Sequence, residues 1–576
     1  MKKILLILLL LFSINFIYAE DANVSSIYPT TIGEMSTTVT LYGQGTISGL
    51  KEGEEAKFQT ITFQSTPLQN VKIIKEELIV DGEIFYPSNL LDKFGNKYVL
   101  FNITKNGNFS YEIIADINVI AATPELIDLN INNPNDVVKQ YTLPSEKVES
   151  DSIEIINLAK NKLVTNNFID TLNTTILWVN DYVEYAKGDE FNKYYLQQKS
   201  AVETLLNRKG VCDEFANLAT ALLRAKNIPT KLAIGITYDG TNWGNHAWLE
   251  VYNEKINAWI PSDPTFRETG FVDATHIKMG SFSDVSLSLA KATYPSTANV
   301  SFDTQSKLPK VEIKNLKYFN LVTLSTKEQE IKANTWNEIK VQITNNTNRI
   351  LNAPISIKEN YTEMFFQEKR KTEILAPNET KEISFKIFPI IELEENQIAK
   401  GILTFNSLSE PIKQNITISK NELSKNGEMV IEDITPITHE GLLLIQMKAT
   451  NYFNADKQID YNVTSPSFTT TQNEIIPKFS SKIIEVKIDN YKNENYLIQI
   501  QTPTSIYTQT ITTSKQELIT PKPLEKQTVA EQKIDPTDAN NNGEILSKNP
   551  LILMIGILIV VGLLLLGLFW TNKRYV

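Results

Sequence analysis

The sequence predicts a multidomain protein in which an α+β domain lies between an N-terminal β-domain and two C-terminal β-sandwiches. Three observations predict this order: β-type alternation near the start, helical spacing after Ser145, and a return to alternation after Lys310. A chain of 576 residues is too long for one hydrophobic core, because such cores stop growing at about 250 to 300 residues. We therefore expect several folded units.

The N-terminus predicts export from the cytoplasm. A pair of lysines, an apolar run that ends at Ile17 and the small residue Ala19 are typical of a secretory signal peptide, which we assign to residues 1–19. Ile17 is bulky for a position three residues before a cleavage point, so the sequence leaves open whether the signal peptide is cleaved. Asn-x-Ser/Thr sites occur throughout the chain and are compatible with a glycoprotein. They include Asn102, Asn173, Asn345, Asn378 and Asn462.

The C-terminus predicts a membrane anchor. Residues 550–570 form a predicted transmembrane helix, because the run from Leu551 carries no charge and is long enough to cross the hydrocarbon core. Lys573 and Arg574 in the tail 571–576 favour the cytoplasmic side. The sequence therefore predicts a single-pass cell-membrane protein whose N-terminal ectodomain faces outwards.

Charge and cysteine content narrow the function classes. The net charge is −11 and no basic run stands outside the termini, so we expect no nucleic-acid partner. Cys212 is the only cysteine, which excludes an intramolecular disulfide. We expect no cofactor and no bound metal, since no acidic cluster indicates a calcium site.

Short alternating segments predict a β-domain over residues 20–145. Its clearest strands are Thr38–Tyr42, Ala56–Phe63, Val71–Ile79 and Tyr98–Ile103. Apolar residues at three- and four-residue steps from Ile153 to Val183 then predict helices at the start of the central domain, residues 146–300.

Alternation returns in two similar stretches. Segments around Ile339 and Ile383 are matched about a hundred residues later by segments around Leu444 and Ile484. We predict two immunoglobulin-like β-sandwiches, at residues 310–420 and 421–511. Lys, Thr, Pro and Asn then predict a flexible stalk over residues 512–549.

Cys212 lies where a helix is predicted to begin. Gly210 permits a turn, and apolar residues from Asp213 to Ala225 have helical spacing. The N–H groups and dipole of a helix N-terminus stabilise an anion. We therefore expect a lowered thiol pKa and backbone donors for an oxyanion.

His246 and Asp263 are predicted on neighbouring strands. His246 starts a strand that runs to Tyr252, and Asp263 follows the segment around Trp259, with a turn over Asn253–Asn257 between them. Adjacent strands lie about 4.8 Å apart, so the carboxylate can accept a hydrogen bond from the imidazole. A thiol needs such an oriented base to become a nucleophile.

These segments closely resemble the transglutaminase-like superfamily. The resemblance lies in Gly210-Val211-Cys212, in His246-Ala247-Trp248-Leu249-Glu250-Val251, and in Trp259 followed by Asp263-Pro264-Thr265. It implies an α+β, papain-like domain with Cys212 as nucleophile, His246 as general base and acid, and Asp263 orienting His246.

The resemblance leaves the reaction open, because the superfamily includes protein crosslinkers, peptidases, deglycosylating amidases and inactive members. We expect an enzyme that attacks amide or isopeptide bonds of surface proteins or cell-wall peptides, with hydrolysis favoured over crosslinking. The alternative is an inactive surface-binding or adhesion protein that uses the domain and the β-sandwiches as a scaffold. Oligomeric state stays open.

The remaining histidines and the nearby tryptophans have no catalytic context. We expect His276 and His439 to be surface or structural residues. Trp248 and Trp259 are expected in the core or in a cleft wall.

Overall fold

β-strands dominate the fold, and all described helices lie between Asp136 and Ala225. The computed structural model describes residues 31–122, 136–283, 290–302, 309–360, 363–394, 397–420, 427–513, 518–519 and 525–528. None of the helices in these ranges has the length and hydropathy of a membrane span. The predicted signal peptide, transmembrane helix and tail lie outside the described residues, as does most of the predicted stalk.

The N-terminal strands confirm the predicted β-segments. They are β1 (Ile32–Ser48), β2 (Ala56–Ile61), β3 (Gln69–Val80), β4 (Glu83–Phe85), β5 (Ser88–Leu91), β6 (Lys97–Ile103) and β7 (Gly107–Ile120). β1, β7, β3 and β4 follow one another in one sheet, and β2, β6 and β5 in a second.

The central domain begins with helices. In chain order they are α1 (Asp136–Lys139), a 3-10 turn (Gln140–Thr142), α2 (Ile153–Lys162), α3 (Phe168–Tyr182), α4 (Asp189–Leu196), α5 (Ala201–Asn207) and α6 (Cys212–Ala225). A short parallel pair, β8 (Glu184–Tyr185) and β9 (Lys209–Gly210), precedes α6.

An antiparallel sheet follows α6 and carries the rest of the candidate site. Its strands are β10 (Thr230–Tyr238), β11 (Trp243–Asn253), β12 (Ala258–Ser262) and β13 (Ile277–Phe282), in the spatial order β12-β11-β10-β13. Leu218 and Leu222 of α6 share one hydrophobic core with Leu249 of β11 and with residues of the N-terminal strands. The central domain and the N-terminal sheets therefore pack as one body.

Three later strands differ from the predicted domain boundaries. They are β14 (Ala290–Thr293), β15 (Asn299–Phe302) and β16 (Lys310–Tyr318). β14 pairs with β2, and both β15 and β16 pair with β1. The predicted central domain, 146–300, contains β14 and ends within β15, and β16 lies in the predicted first sandwich, 310–420. Alternation identifies a strand but not its partner, which explains the difference.

Two pairs of sheets follow, each with its own hydrophobic core. The first pair contains β17 (Val322–Thr326), β18 (Gln329–Lys332), β19 (Asn337–Asn345), β20 (Leu351–Glu359), β21 (Met364–Phe366), β22 (Arg370–Leu375), β23 (Thr380–Pro389), β24 (Ile398–Ser407) and β25 (Ser409–Ser419). The second contains β26 (Met429–His439), β27 (Leu442–Asn451), β28 (Lys457–Thr464), β29 (Thr469–Ile476), β30 (Ser481–Asp489), β31 (Asn495–Gln501), β32 (Ser505–Thr513), β33 (Leu518–Ile519) and β34 (Glu525–Thr528).

Each of the two sandwiches has a corner that is built around a buried asparagine, and the two corners are alike. The Nδ2 of Asn345 donates to the carbonyl oxygens of Arg349 and Ala376 at 2.7 and 2.9 Å. The Nδ2 of Asn451 donates to the carbonyl oxygens of Ala455 and Ile476, both at 2.9 Å. The similarity of these two corners supports the predicted repeat. The immunoglobulin-like topology stays a prediction.

Candidate active site

Glu214 fixes the chain at the start of α6. Its Oε2 accepts the N–H of Val211 at 2.8 Å, and its Oε1 accepts the N–H of Lys199 at 2.7 Å. Gly210 leaves room for this side chain, since a Cβ there would lie 2.3 Å from the Cβ of Glu214. Cys212 is therefore the first residue of the helix, as predicted.

The sulfur of Cys212 meets β11 where that strand has a free edge. β12 pairs with β11 only from Leu249 to Asn253, so on that side of β11 Ala247 has no strand partner among the described residues, while β10 pairs with it on the other side. The N–H of Ala247 instead forms a hydrogen bond with the Cys212 thiol. This contact places the thiol beside the residue that follows His246.

The thiol is buried and its hydrogen bonds do not include the imidazole. Cys212 is 8% exposed. Its Sγ–H donates to Oδ1 of Asp213 at 3.8 Å. Within the described residues, no hydrogen bond joins Sγ to the ring of His246.

The pKa of the thiol departs from the expectation. Burial, and after it the negative charge of Asp213, raise the pKa of Cys212 well above its usual value, although the N–H of Ala247 opposes them. The expected lowering is thus wrong in sign. Desolvation and the acidic residues of the first helical turn outweigh the partial positive charge of the helix N-terminus.

His246 and Asp263 are joined as the sequence predicts. The Nε2 of His246 lies 2.7 Å from Oδ2 of Asp263. An ionised carboxylate only accepts hydrogen bonds, so Nε2 carries the proton and Nδ1 remains available as a base. The ring of Phe266 stacks on the imidazole at a centroid distance of 4.9 Å and fixes its plane.

Asp263 is fully buried and satisfied on both oxygens. Its Oδ1 accepts the N–H groups of Thr265 and Phe266 at 2.6 and 3.2 Å. Burial alone would raise the pKa of this carboxyl. The interaction with His246, and after it the hydrogen bond and the charge of His276, hold that pKa well below its usual range.

His276 belongs to the site, which the sequence did not predict. It lies immediately before β13 and is 3% exposed, so of the two expected positions, surface or structural, the structure excludes the surface one. Its Nε2 lies 3.2 Å from Oδ2 of Asp263, and its Nδ1 lies 3.2 Å from Oδ1 of Asp273. The Asp273-x-x-His276 spacing was the only local signal for it.

The structure also gives the positions of the two tryptophans and of His439. Trp248 is buried and contacts the rings of His246 and His276, which confirms a core or wall position. Trp259 packs edge-on against Tyr141. His439 is half-exposed and its Nδ1 lies 2.7 Å from Oε1 of Glu154, which confirms a structural role.

Two sets of side chains present enough ligand atoms for a cation. His246, Asp263 and His276 form one set, and Glu268, Asp273 and His276 form the other. The facing nitrogens and oxygens of the first set already share hydrogen bonds at 2.7 and 3.2 Å. We therefore assign these groups to a proton-holding network.

Comparison with known families matches the central domain. Residues 157–264 match the core of the transglutaminase-like superfamily. Uncharacterized proteins of Mycobacterium tuberculosis and Mycobacterium bovis are 26% identical over 175 residues, which cover 28% of this chain and 47% of each relative. The chain thus spans about half the length of the curated relatives that it matches.

Comparison with solved structures finds matches at low similarity. A candidate cysteine protease from Cytophaga hutchinsonii is 21% identical, covers 49% of this chain and all of its own, and gives a TM-score of 0.34. Red sea bream transglutaminase is 9% identical, covers 78% of this chain and 93% of its own, and gives a TM-score of 0.19.

The family match ends one residue after Asp263 and includes the helix start at Cys212 and the strand at His246. A fold of this kind supports a function of the thiol acyl-transfer type. Residues 157–264 of this chain are a transglutaminase-like domain.

Proposed function

We propose that the transglutaminase-like domain is a thiol-dependent acyl-transfer enzyme. Cys212 is the nucleophile, His246 the general base and acid, and Asp263 the residue that orients His246. The observation that carries the proposal is the Nε2 to Oδ2 distance of 2.7 Å beside a thiol bonded to the N–H of Ala247. Because Nε2 of His246 is engaged by Asp263, its Nδ1 is the available base. His246 also lies on β11, the strand that the thiol contacts.

The reaction begins with a neutral thiol, since burial raises the pKa of Cys212. As sulfur attacks the carbonyl carbon of an amide, its proton passes to Nδ1 of His246 and the carbon–sulfur bond forms. The imidazolium then gives that proton to the leaving nitrogen as the carbon–nitrogen bond breaks. Water attacks the resulting thioester, His246 takes a proton from it and returns one to sulfur, and the carboxylic acid leaves.

The proposed substrates are amide or isopeptide bonds of surface proteins or cell-wall peptides. This location rests on the predicted signal peptide and on the predicted membrane helix at 550–570. Water is the favoured acceptor, because an amine must otherwise compete with concentrated water for the thioester.

The test mixes the full chain with glutamine-containing peptide amides and a primary amine, and separates acid products from amine-linked products by mass spectrometry. We expect acid products from the wild type and a loss of at least about a thousandfold in Cys212→Ala. Amine-linked product as the main species would contradict hydrolysis. Equal turnover by Cys212→Ala would contradict the whole proposal.

A second candidate function has a specific observation in its favour. Cys212 is 8% exposed, and its raised pKa is the opposite of what an exposed, activated thiol shows. An inactive surface-binding scaffold would have these properties. It predicts no turnover of any peptide and binding to surface polymers that is equal in the wild type and in Cys212→Ala.

A further inference from the structure

Both ring nitrogens of His276 face carboxylate oxygens. Nε2 lies 3.2 Å from Oδ2 of Asp263, and Nδ1 lies 3.2 Å from Oδ1 of Asp273. An ionised carboxylate only accepts, so a hydrogen bond on each side requires a proton on each nitrogen. The geometry therefore indicates an imidazolium.

The charges around His276 agree with this state. Asp263 and Asp273 each place a carboxylate oxygen 3.2 Å from a ring nitrogen of His276, whereas burial, and after it the charge of Asp273, raise the pKa of Glu268 well above its usual value. Although burial opposes it, the hydrogen bonds that the ring N–H groups of His276 donate to Asp263 and Asp273 raise the pKa of His276 to about 10. Arg370 in β22 also interacts electrostatically with Asp263 and Glu268.

Asp263 has no free hydrogen-bonding position beyond its four donors. Two backbone N–H groups occupy Oδ1, from Thr265 and Phe266. Two histidine Nε2 atoms share Oδ2, from His246 and His276. The carboxylate cannot rotate without breaking bonds on both oxygens at once.

We propose that His276 is a positioning residue of this site, a second, permanently charged histidine that fixes the Asp263 carboxylate in the orientation that His246 needs. Asp273 holds the far side of the ring. The family match ends at residue 264 and does not cover His276. The catalytic consequence rests on the proposed function, whereas the charge and the fixed hydrogen bond do not.

The charge can be measured directly because the chain contains 3 histidines. We label the full chain with nitrogen-15 in histidine and record the ring nitrogens at pH 8. One histidine should have both nitrogens protonated, and His276→Gln should remove that signal. Three neutral imidazoles at pH 8 would overturn the proposal.

The positioning role is measured on the Nε2–H proton of His246. In the wild type, this proton should exchange slowly with water because Asp263 is fixed. His276→Gln should broaden or abolish its signal, and should lower kcat by about 10- to 100-fold with KM unchanged. His439→Gln removes a histidine–carboxylate pair elsewhere, at Glu154, and should change neither quantity.

Asp273→Asn is the second variant, and it tests the role of His276 independently, even if His276→Gln does not fold. Loss of this carboxylate should lower the pKa of His276 in the same spectra and weaken the His246 signal. An unchanged His276 titration in Asp273→Asn, or an unchanged His246 proton in folded His276→Gln, would overturn the proposal. A charged His276 and a fixed proton without turnover of any substrate would contradict the proposed function alone.

Discussion

Cys212 and Asp213 lie side by side in the first turn of α6, with Sγ 3.8 Å from Oδ1. The Asp213 charge is the second cause, after burial, of the raised thiol pKa. Asp213→Asn removes this charge and should increase the rate of Cys212 alkylation at pH 7 by roughly tenfold, because a lower thiol pKa gives more of the reactive thiolate. The full chain has a single thiol, so loss of free thiol with iodoacetamide reports the rate directly.

Asp189 provides the matched control for this experiment. It is an exposed acid in the first turn of another helix, α4, and Asp189→Asn should leave the alkylation rate unchanged. An unchanged or slower rate in Asp213→Asn would contradict the electrostatic explanation of the thiol pKa.

The sequence predicts residues well where a local motif surrounds them. Cys212, His246 and Asp263 each lie in a distinctive segment, and the His246–Asp263 contact follows from it. His276 has only Asp273 nearby in sequence, while its other partner, Asp263, comes from across the fold. The sign of the thiol pKa depends on burial, which no motif reports.

At the scale of elements, Glu214 and Glu203 cap neighbouring helices, and their carboxyl pKa values shift in opposite directions. Glu214 is buried, and burial above all raises its pKa to about 7. A raised folded-state pKa stabilises the fold at low pH, and this contribution is lost as pH rises from about 4.5 to about 7. We expect wild-type unfolding free energy to lose about 3 kcal/mol across this range from Glu214, and Glu214→Gln to lose that pH dependence.

The control is the capping box of α5. Although burial opposes it, the N–H of Ser200 and the charge of Lys199 lower the pKa of Glu203. Its stabilisation is present above the unfolded pKa and is lost as pH falls, so Glu203→Gln should flatten the acid side instead. Urea unfolding at pH 3, pH 5 and pH 7.5 separates the two, and the same pH response in both variants would contradict the assignment.

Glu250 joins three strands of the central sheet through a partly buried charge cluster. It bonds to Lys231 of β10 at 3.2 Å and to Ser281 of β13 at 2.7 Å, and it also pairs with Lys278. Although burial opposes them, Lys278 and Lys231 lower the pKa of Glu250 to about 2.

Removal of this carboxylate would leave two partly buried lysines without their counter-charge. Glu250→Gln should therefore lower the unfolding free energy by about 3 to 5 kcal/mol. Glu254→Gln, in the exposed turn after β11, should cost under about 0.5 kcal/mol. A cost below about 1 kcal/mol for Glu250→Gln would show that the cluster does not stabilise the sheet.

The sequence predicts the positions of the helices and strands, but not which strands pair or over what length. The helix at Cys212 and the strands at His246 and Trp259 appear where the sequence places them. Alternation could not reveal that β12 stops pairing at Leu249. That early stop leaves the N–H of Ala247 for the sulfur, so strand length decides the geometry of the site.

At the scale of the whole molecule, Gln446 of the second sandwich links to the central domain. This buried side chain accepts a hydrogen bond from Tyr182 at 2.7 Å and donates to the carbonyl of Leu206 at 3.0 Å. Gln446→Ala should lower the unfolding free energy by about 1 to 2 kcal/mol, since it removes the hydrogen bonds with the Tyr182 hydroxyl and the Leu206 carbonyl. Gln458→Ala, an exposed glutamine of β28, is the control and should have no measurable effect in urea unfolding.

The domain order was predictable, but the route of the chain between domains was not. Alternation around Val311 and Ile313 predicts a strand, and one is present. That strand pairs with β1, more than 270 residues earlier in sequence at Thr37 and Ile313. Such long-range pairing depends on shape and edge availability, which composition and periodicity do not report.

The central claim is that Cys212 forms an acyl intermediate. The most direct measurement is the pre-steady-state release of nitrophenol from a nitrophenyl ester by the full chain, with mass spectrometry of the quenched protein. We expect a burst of about one equivalent per chain and an acyl group on Cys212, both absent in Cys212→Ala. A burst of equal size in Cys212→Ala, or steady turnover with no acyl group on this residue, would contradict the account.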